Sequence, residues 1–264
     1  MALIHSGYET IPGAYLFSEI ASRLRTYQQQ NPDTKLLRMG IGDVTQPLAP
    51  AVIEALHQAV DEMANAETFK GYGPEYGYDF LIDAILENEY KPLGVELEAD
   101  EIIIGDGSKS DCANIQELFS QDAVIAVTDP VYPVYVDSNA LAGRTGTYET
   151  VWSDVVYLPC SEENNFMPAL PEQHVDLIYL CSPNNPTGAV MDRAELQKWV
   201  DYANANGSVI IFDAAYRAYI ASAGLPRSIY EIEGAKTCAI ECCSFSKSAG
   251  FTGTRCSWVI VPHT

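Results

Sequence analysis

Basic residues are scarce in this chain of 264 residues: 15 lysines and arginines stand against 36 aspartates and glutamates, for a net charge of −21. Such a surface repels nucleic acid and anionic membranes, so neither is an expected partner. No apolar run approaches the length needed to cross a bilayer. The first residues lack a basic stretch followed by a long apolar one, so no secretory leader is expected. The seven cysteines are an odd number without the paired spacing that holds a metal. They read as reduced thiols of a cytoplasmic protein, used as small core residues. Internal repeats and low-complexity tracts are also missing. Hydrophobic content of 47% with 19% charged residues marks a globular chain, long enough for one substantial core or a large domain with part of a second.

What the chain does have is alternation of strands and helices. Residues 15–27 read as a short helix and 36–41 as a strand. From Pro50 the pattern turns helical, with Val52, Ile53, Leu56, Val60 and Met63 at helical spacing. Candidate strands then follow at 102–104, 123–127, 145–151, 177–180, 209–212, 237–241 and 258–261. Between the fourth and fifth of these, Asp192 can cap a helix, Glu195 completes the box, and Gly207 ends it. This order predicts an α/β fold with an open, mostly parallel sheet and ligands at the carboxyl ends of its strands.

Residues 244–255 read Ser-Phe-Ser-Lys-Ser-Ala-Gly-Phe-Thr-Gly-Thr-Arg. This suits a cofactor with an aldehyde at one end and a phosphate at the other. Lys247 can condense with the aldehyde. Ser244, Ser246 and Arg255 can hold a phosphate, which arginine binds through two charge-assisted bonds. Gly250 and Gly253 let the backbone turn between them. A serine- and glycine-rich surface loop with one exposed lysine is the competing reading.

Three further segments suit pyridoxal phosphate. Residues 182–188, Ser-Pro-Asn-Asn-Pro-Thr-Gly, follow a strand end and place Asn185 where it can donate to the ring oxygen; an ordinary Asn-Pro turn would look the same. Residues 209–216 are an apolar run ending in Asp213-Ala-Ala-Tyr216. Asp213 can keep a pyridine nitrogen protonated, and Tyr216 can reach the ring oxygen; a solvated or capping aspartate is the alternative. Residues 102–110 form a strand, a glycine turn and a helix start, where Ser108 and Lys109 would present amides to a phosphate. A lone glycine-rich turn would not establish this.

These four segments, together with 40–47 (Gly-Ile-Gly-Asp-Val-Thr-Gln-Pro), 71–75 (Gly-Tyr-Gly-Pro-Glu), 129–135 (Asp-Pro-Val-Tyr-Pro-Val-Tyr) and 229–236 (Ile-Tyr-Glu-Ile-Glu-Gly-Ala-Lys), resemble the class I/II aminotransferases of the fold-type I pyridoxal-phosphate enzymes. Within them the resemblance is closer still to the LL-diaminopimelate aminotransferase group. It implies pyridoxal 5′-phosphate as cofactor, and transamination between glutamate and tetrahydrodipicolinate that makes LL-diaminopimelate for lysine and cell-wall synthesis. The implied fold is a three-layer α/β sandwich with a seven-stranded, mostly parallel sheet whose last strand runs antiparallel. Residues 46–264 would be the cofactor-binding large domain and residues 1–45 an N-terminal segment of the small domain. The rest of the small domain, with a second arginine for the substrate's α-carboxylate, would lie beyond this chain.

The resemblance also assigns roles. Lys247, Asp213 and Tyr216 would be catalytic. Tyr72, Ser108, Lys109, Tyr132, Asn185, Ser244, Ser246 and Arg255 would join them in holding the cofactor, with Tyr132 stacked on its ring. Tyr15, Gly42 and Glu75 would contact substrate, as would Lys109, Tyr132 and Asn185. Tyr72 and Glu75 would come from the partner subunit of a homodimer with shared sites, Tyr72 at the phosphate and Glu75 facing a distal ammonium. Without the resemblance, Tyr132 is equally an aromatic in a proline-rich turn, and Glu75 is one surface carboxylate among 36. Two positions depart from the family pattern: Arg217 stands where glutamate is usual, and Cys243 where arginine is frequent. Neither is read as lying on the cofactor, and Arg217 could alter the local charge near the site entrance, which bears on the exact substrate. Two alternatives stay open: another aminotransferase or β-lyase of the same fold, and an inactive fragment that acts as a dimerising scaffold.

Overall fold

The computed structural model describes residues 3–4, 7–11, 16–37, 39 and 43–263. The chain begins with a helical turn α1 (Gly7–Thr10) and helix α2 (Leu16–Gln30), followed by α3 (Pro50–Met63) and α4 (Asp79–Ile85). Strand β1 (Ile102–Gly105) leads into α5 (Ser108–Ile115), and β2 (Ile125–Asp129) into α6 (Pro133–Leu141). Then come β3 (Val155–Pro159), β4 (Leu177–Cys181), α7 (Arg193–Asn206), β5 (Val209–Asp213), β6 (Ala239–Ser244), the turn α8 (Phe245–Ser248) and β7 (Ser257–Ile260).

The seven strands make one sheet in the order β1-β7-β6-β5-β4-β2-β3. Only β7 runs antiparallel to its neighbours, as expected from the resemblance. Successive side chains point to opposite faces, so the central strands feed two cores. Ile178, Leu180, Ile210, Phe212, Trp258 and Ile260 pack on one face with Leu196, Trp199, Val200 and Ala203 of α7. Leu177, Tyr179, Ile211, Cys242 and Val259 pack on the other with Cys112 of α5 and Tyr135, Val136 and Ala140 of α6. Helix α7 forms as its sequence predicts: Asp192 accepts from the Glu195 amide at the start, and Gly207 adopts φ 68° at the end. Its four apolar residues sit at i, i+3, i+4 and i+7, and burying each large one contributes roughly 1.5–3 kcal/mol. These are the three expected layers.

Two expectations differ from the structure, and one helix forms as expected with an exposed apolar face. Residues 145–151 carry strand-like threonines and a valine but close on themselves: Gly146 takes φ 70°, and Ser153 exchanges hydrogen bonds with Thr147. The edge strand is β3, a few residues later. Of the expected strand at 36–41, Leu36, Leu37 and Met39 lie outside any strand, and the other positions fall outside the described residues. Helix α3 forms but buries none of its residues; Val60 is 69% exposed and Met63 46%. Its apolar spacing is real, yet no other layer among the described residues covers it.

Candidate functional site

Register decides what meets at the carboxyl edge of the sheet. Gly105 pairs with Ser257, Ser257 with Ser244, Cys242 with Asp213, and Asp213 with Cys181. The ends of β1, β6, β5 and β4 and the start of β7 therefore lie in one row. The segments after them carry the predicted residues, as ligand sites in open α/β sheets require.

Asp213 is the last residue of β5 and is almost fully buried. Its Oδ2 accepts a 2.5 Å hydrogen bond from the Tyr135 hydroxyl, and its Oδ1 accepts from the Ala215 amide at 3.0 Å. Burial pushes its pKa up, while the Tyr135 and Ala215 bonds pull it back. Tyr135 is itself held in place: its ring stacks on Tyr179 at 5.1 Å, and Asn139 donates to both its carbonyl and the Tyr179 hydroxyl. Tyr132, at the start of α6, meets Tyr135 edge-on at 5.6 Å. Tyr135 escaped the sequence reading. Its signal was its place three residues after Tyr132, on the same side of a helix beginning at Pro133.

The phosphate-binding candidates gather around α8. Ser244 ends β6, and its Oγ accepts from the Ser246 amide at 2.9 Å. The two serine hydroxyls are 2.7 Å apart, and Arg255 Nη1 donates to the Ser246 Oγ at 3.2 Å. Arg255 adopts φ 70°, unusual for a residue with a side chain. Its guanidinium lies against Gly107, just before α5. A Cβ on Gly107 would stand 1.7 Å from Arg255 Nη2, and Gly107 has φ 151°. Ser108, buried, and Lys109, exposed, begin α5, whose first amides have no acceptor within the helix. Two hydroxyls, a guanidinium and a helix start thus converge around a glycine that leaves room for them. Gly107→Ala is expected to keep the fold but to displace Arg255, raising the dissociation constant for a phosphate ester about tenfold or more in a binding titration.

Lys247 lies on α8. Its ammonium is 5.7 Å from the centre of the Tyr216 ring, and its backbone carbonyl accepts a 2.9 Å bond from the Tyr219 hydroxyl. A cavity of about 600 Å³ opens here, lined by Lys247, Tyr216, Tyr219, Gly250, Asp43 and Gln46. Tyr219 is a second residue the sequence reading missed. Asn185 sits in the turn after β4, where the Asn184 amide bonds Ala189 and Gly188 takes φ 75°.

Chemically, these groups fit pyridoxal phosphate. Asp213 is a buried carboxylate with two neutral donors and no ion pair among the described residues, so it gains from a protonated ring nitrogen. Comparison with known proteins agrees. Residues 34–264 match the family model for aminotransferase class I and II. The chain belongs to the class I and II aminotransferases. It is 61% identical over 265 aligned residues to an LL-diaminopimelate aminotransferase of Agathobacter rectalis, covering 99% of this chain and 66% of that protein. It is 55% identical to the enzyme of that name from Bacteroides fragilis, covering 65% of it. Among solved structures, the L,L-diaminopimelate aminotransferase of Chlamydomonas reinhardtii superposes with a TM-score of 0.92 at 43% identity, covering 99% of this chain and 64% of that one. BacF of Bacillus subtilis follows at 0.81 and 28%, covering 98% and 64%. The chain thus spans about two thirds of the length of the relatives it matches. Enzymes of this family depend on pyridoxal 5′-phosphate.

Not every expected residue joins the cluster. Tyr15 and Gly42 lie outside the described residues. Tyr72 and Glu75 are exposed in a loop, Tyr72 completely so, and no hydrogen bond among the described residues ties either to the Lys247 cluster. Arg217 is not at the site entrance. It is 6% exposed and turned to the opposite side, where it pairs with Glu89 at 2.6 Å and Glu241 at 3.3 Å. Its guanidinium lies 4.8 Å from the Tyr90 ring centre and 3.6 Å from the Cys243 sulfur. The two departures from the family pattern are therefore neighbours in space, within a buried network that does not touch the cofactor side.

Proposed function

We propose that this chain serves transamination between glutamate and tetrahydrodipicolinate, giving LL-diaminopimelate for lysine and peptidoglycan-precursor synthesis. The observation that carries the reading is the convergence of Lys247, Asp213 and the Ser244–Ser246–Arg255 cradle at one sheet edge. The identity of 61% to an enzyme of that name supports the substrate pair. Pyridoxal phosphate, when bound, supplies an electron sink for negative charge developing at the substrate's α-carbon. Ser244, Ser246, Arg255 and the start of α5 hold its phosphate, with Ser108 and Lys109 at that helix start. Tyr132 would cover one face of its ring, and Asn185 and Tyr216 would hold the ring oxygen. Asp213 keeps the ring nitrogen protonated, and Tyr135 keeps Asp213 in place. Lys247 Nζ would hold the cofactor's aldehyde end, and as a free amine it would take the proton from the substrate's α-carbon.

A homodimer with shared sites completes the reading. The uncovered apolar face of α3 and the exposed loop with Tyr72 and Glu75 support it: both are surfaces a second copy would use. In that arrangement Tyr72 reaches the partner's phosphate and Glu75 a distal ammonium, while Tyr15 and Gly42 complete the substrate side. Seven unpaired thiols agree with a cytoplasmic setting. No helix among the described residues is long and apolar enough to cross a membrane.

The test is the visible spectrum of the purified chain with added pyridoxal phosphate. A new absorbance band is expected, and Lys247→Ala should remove it. Assays with LL-diaminopimelate and 2-oxoglutarate should then show glutamate formation above that of the substituted chain. A folded chain without the band would refute the reading.

A further inference from the structure

Asp111 lies one turn into α5 and takes no part in the chemistry described so far. One of its oxygens, Oδ2, is buried without a hydrogen-bond partner among the described residues. Such a group is costly to keep, which calls for a reason. Its other oxygen faces Ser257 at the start of β7: a Cβ on Gly105 would lie 2.3 Å from Asp111 Oδ1 and 2.7 Å from Ser257 Oγ. The Ser257 hydroxyl and the carboxylate thus flank the same point, and the Ser257 oxygen accepts the Gly107 amide at 2.6 Å. A hydroxyl has one proton to give. Donating it to Asp111 turns the Ser257 lone pairs toward Gly107. Gly107 is the residue whose bare backbone makes room for Arg255.

We infer that Asp111 is a positioning residue for the phosphate cradle: through Ser257 it fixes Gly107, and through Gly107 the seat of Arg255 and the first amides of α5. This rests on the proposed pyridoxal-phosphate site. Burial pushes the Asp111 carboxyl up to about 6, with Asp106 and Asp213 adding to the rise and Ser257 and Arg255 opposing it. In its ionised form the carboxylate can accept a hydrogen bond from the Ser257 hydroxyl. The relay acts only on the phosphate end, so its loss should be felt by ligands that carry a phosphate and not by those that lack one.

The experiment is a pair of binding titrations, with pyridoxal 5′-phosphate and with pyridoxal, on the wild-type chain and on Asp111→Ala, Ser257→Ala, the double variant and Asp111→Asn. Asp111→Ala and Ser257→Ala are each expected to weaken pyridoxal phosphate about tenfold and pyridoxal less than about twofold, as loss of one charge-assisted contact predicts. The double variant should be no worse than either single one, because both break the same chain. Asp111→Asn keeps an acceptor for Ser257 and should recover most of the affinity. Equal weakening of both ligands, no weakening, or additive losses would overturn the inference, and so would an Asp111→Asn variant as weak as the alanine. If Asp111→Ala does not fold, Ser257→Ala and Asp111→Asn decide the same question. A wild-type chain that binds neither ligand would remove the proposed function itself, and the inference with it.

Discussion

Asp213→Asn is expected to lower the transamination rate on the order of a thousandfold while leaving the melting temperature unchanged or slightly higher. The carboxylate is buried at the end of β5 and, among the described residues, receives only neutral hydrogen bonds, from Tyr135 at 2.5 Å and the Ala215 amide at 3.0 Å. In that setting its charge is costly unless a cation faces it. In the proposed site a protonated ring nitrogen would be that cation, and the protonated ring would draw negative charge away from the substrate's α-carbon. Asparagine keeps the shape and an acceptor for Tyr135 but loses the charge, so the ring nitrogen loses its proton and the acceleration falls by several kcal/mol. Removing a buried, imperfectly compensated charge does not weaken the fold. Tyr135→Phe should act in the same direction with a smaller loss, about tenfold, for one missing hydrogen bond to a charged group. Steady-state rates and melting curves on the purified variants check both; an Asp213→Asn chain retaining more than about a tenth of the rate would contradict the assignment.

The second large effect falls on stability. Glu241 is fully buried on β6, on the face opposite Asp213, and collects bonds from five partners. Tyr90, Ser228 and the Ile229 amide donate at 2.8 Å, Arg217 at 3.3 Å and Cys243 at 3.4 Å. Glu241→Leu would strand these donors and leave the buried Arg217 guanidinium with Glu89 as its remaining carboxylate. Breaking one side of a buried pair costs about 3–5 kcal/mol. For a chain of this size that lowers the melting temperature by on the order of 10 °C. Glu241→Gln keeps acceptor and shape and should lose less than half as much. Affinity for pyridoxal phosphate should hold in the folded fraction, because residues 239, 241 and 243 point away from the face that carries 240 and 242. A Glu241→Leu chain that melts within about 2 °C of wild type would show that the network contributes little.

Much of this site is legible in the sequence. An apolar run that ends in a carboxylate is a buried parallel strand with its working residue at the carboxyl end, which is how Asp213 could be read. The Lys247 segment is similarly self-contained: Ser244, Ser246 and Arg255 lie within one tight loop, and local spacing alone brings them together. Helix α7 announced itself through its cap, its apolar stripe and its terminal glycine. These features depend on neighbours a few residues apart, and sequence records such neighbours directly.

The rest depended on contacts between distant parts of the chain. Tyr135 donates to Asp213 across 78 positions, and Ser257 holds Gly107 across 150. Strand pairing creates the second, since it sets Gly105 and Ser244 beside Ser257, and the packing of α6 against the sheet creates the first. Arg217 was misplaced because its sequence neighbourhood, four residues after Asp213, suggests the site. In the fold the turn after β5 sends it to the other side of the sheet, among Glu89, Tyr90 and Glu241. The apolar spacing of α3 shows the same division from the other side. Its period fixes the helix, but whether that face meets a core, as in α7, or stays uncovered is decided by which layers the tertiary structure places beside it.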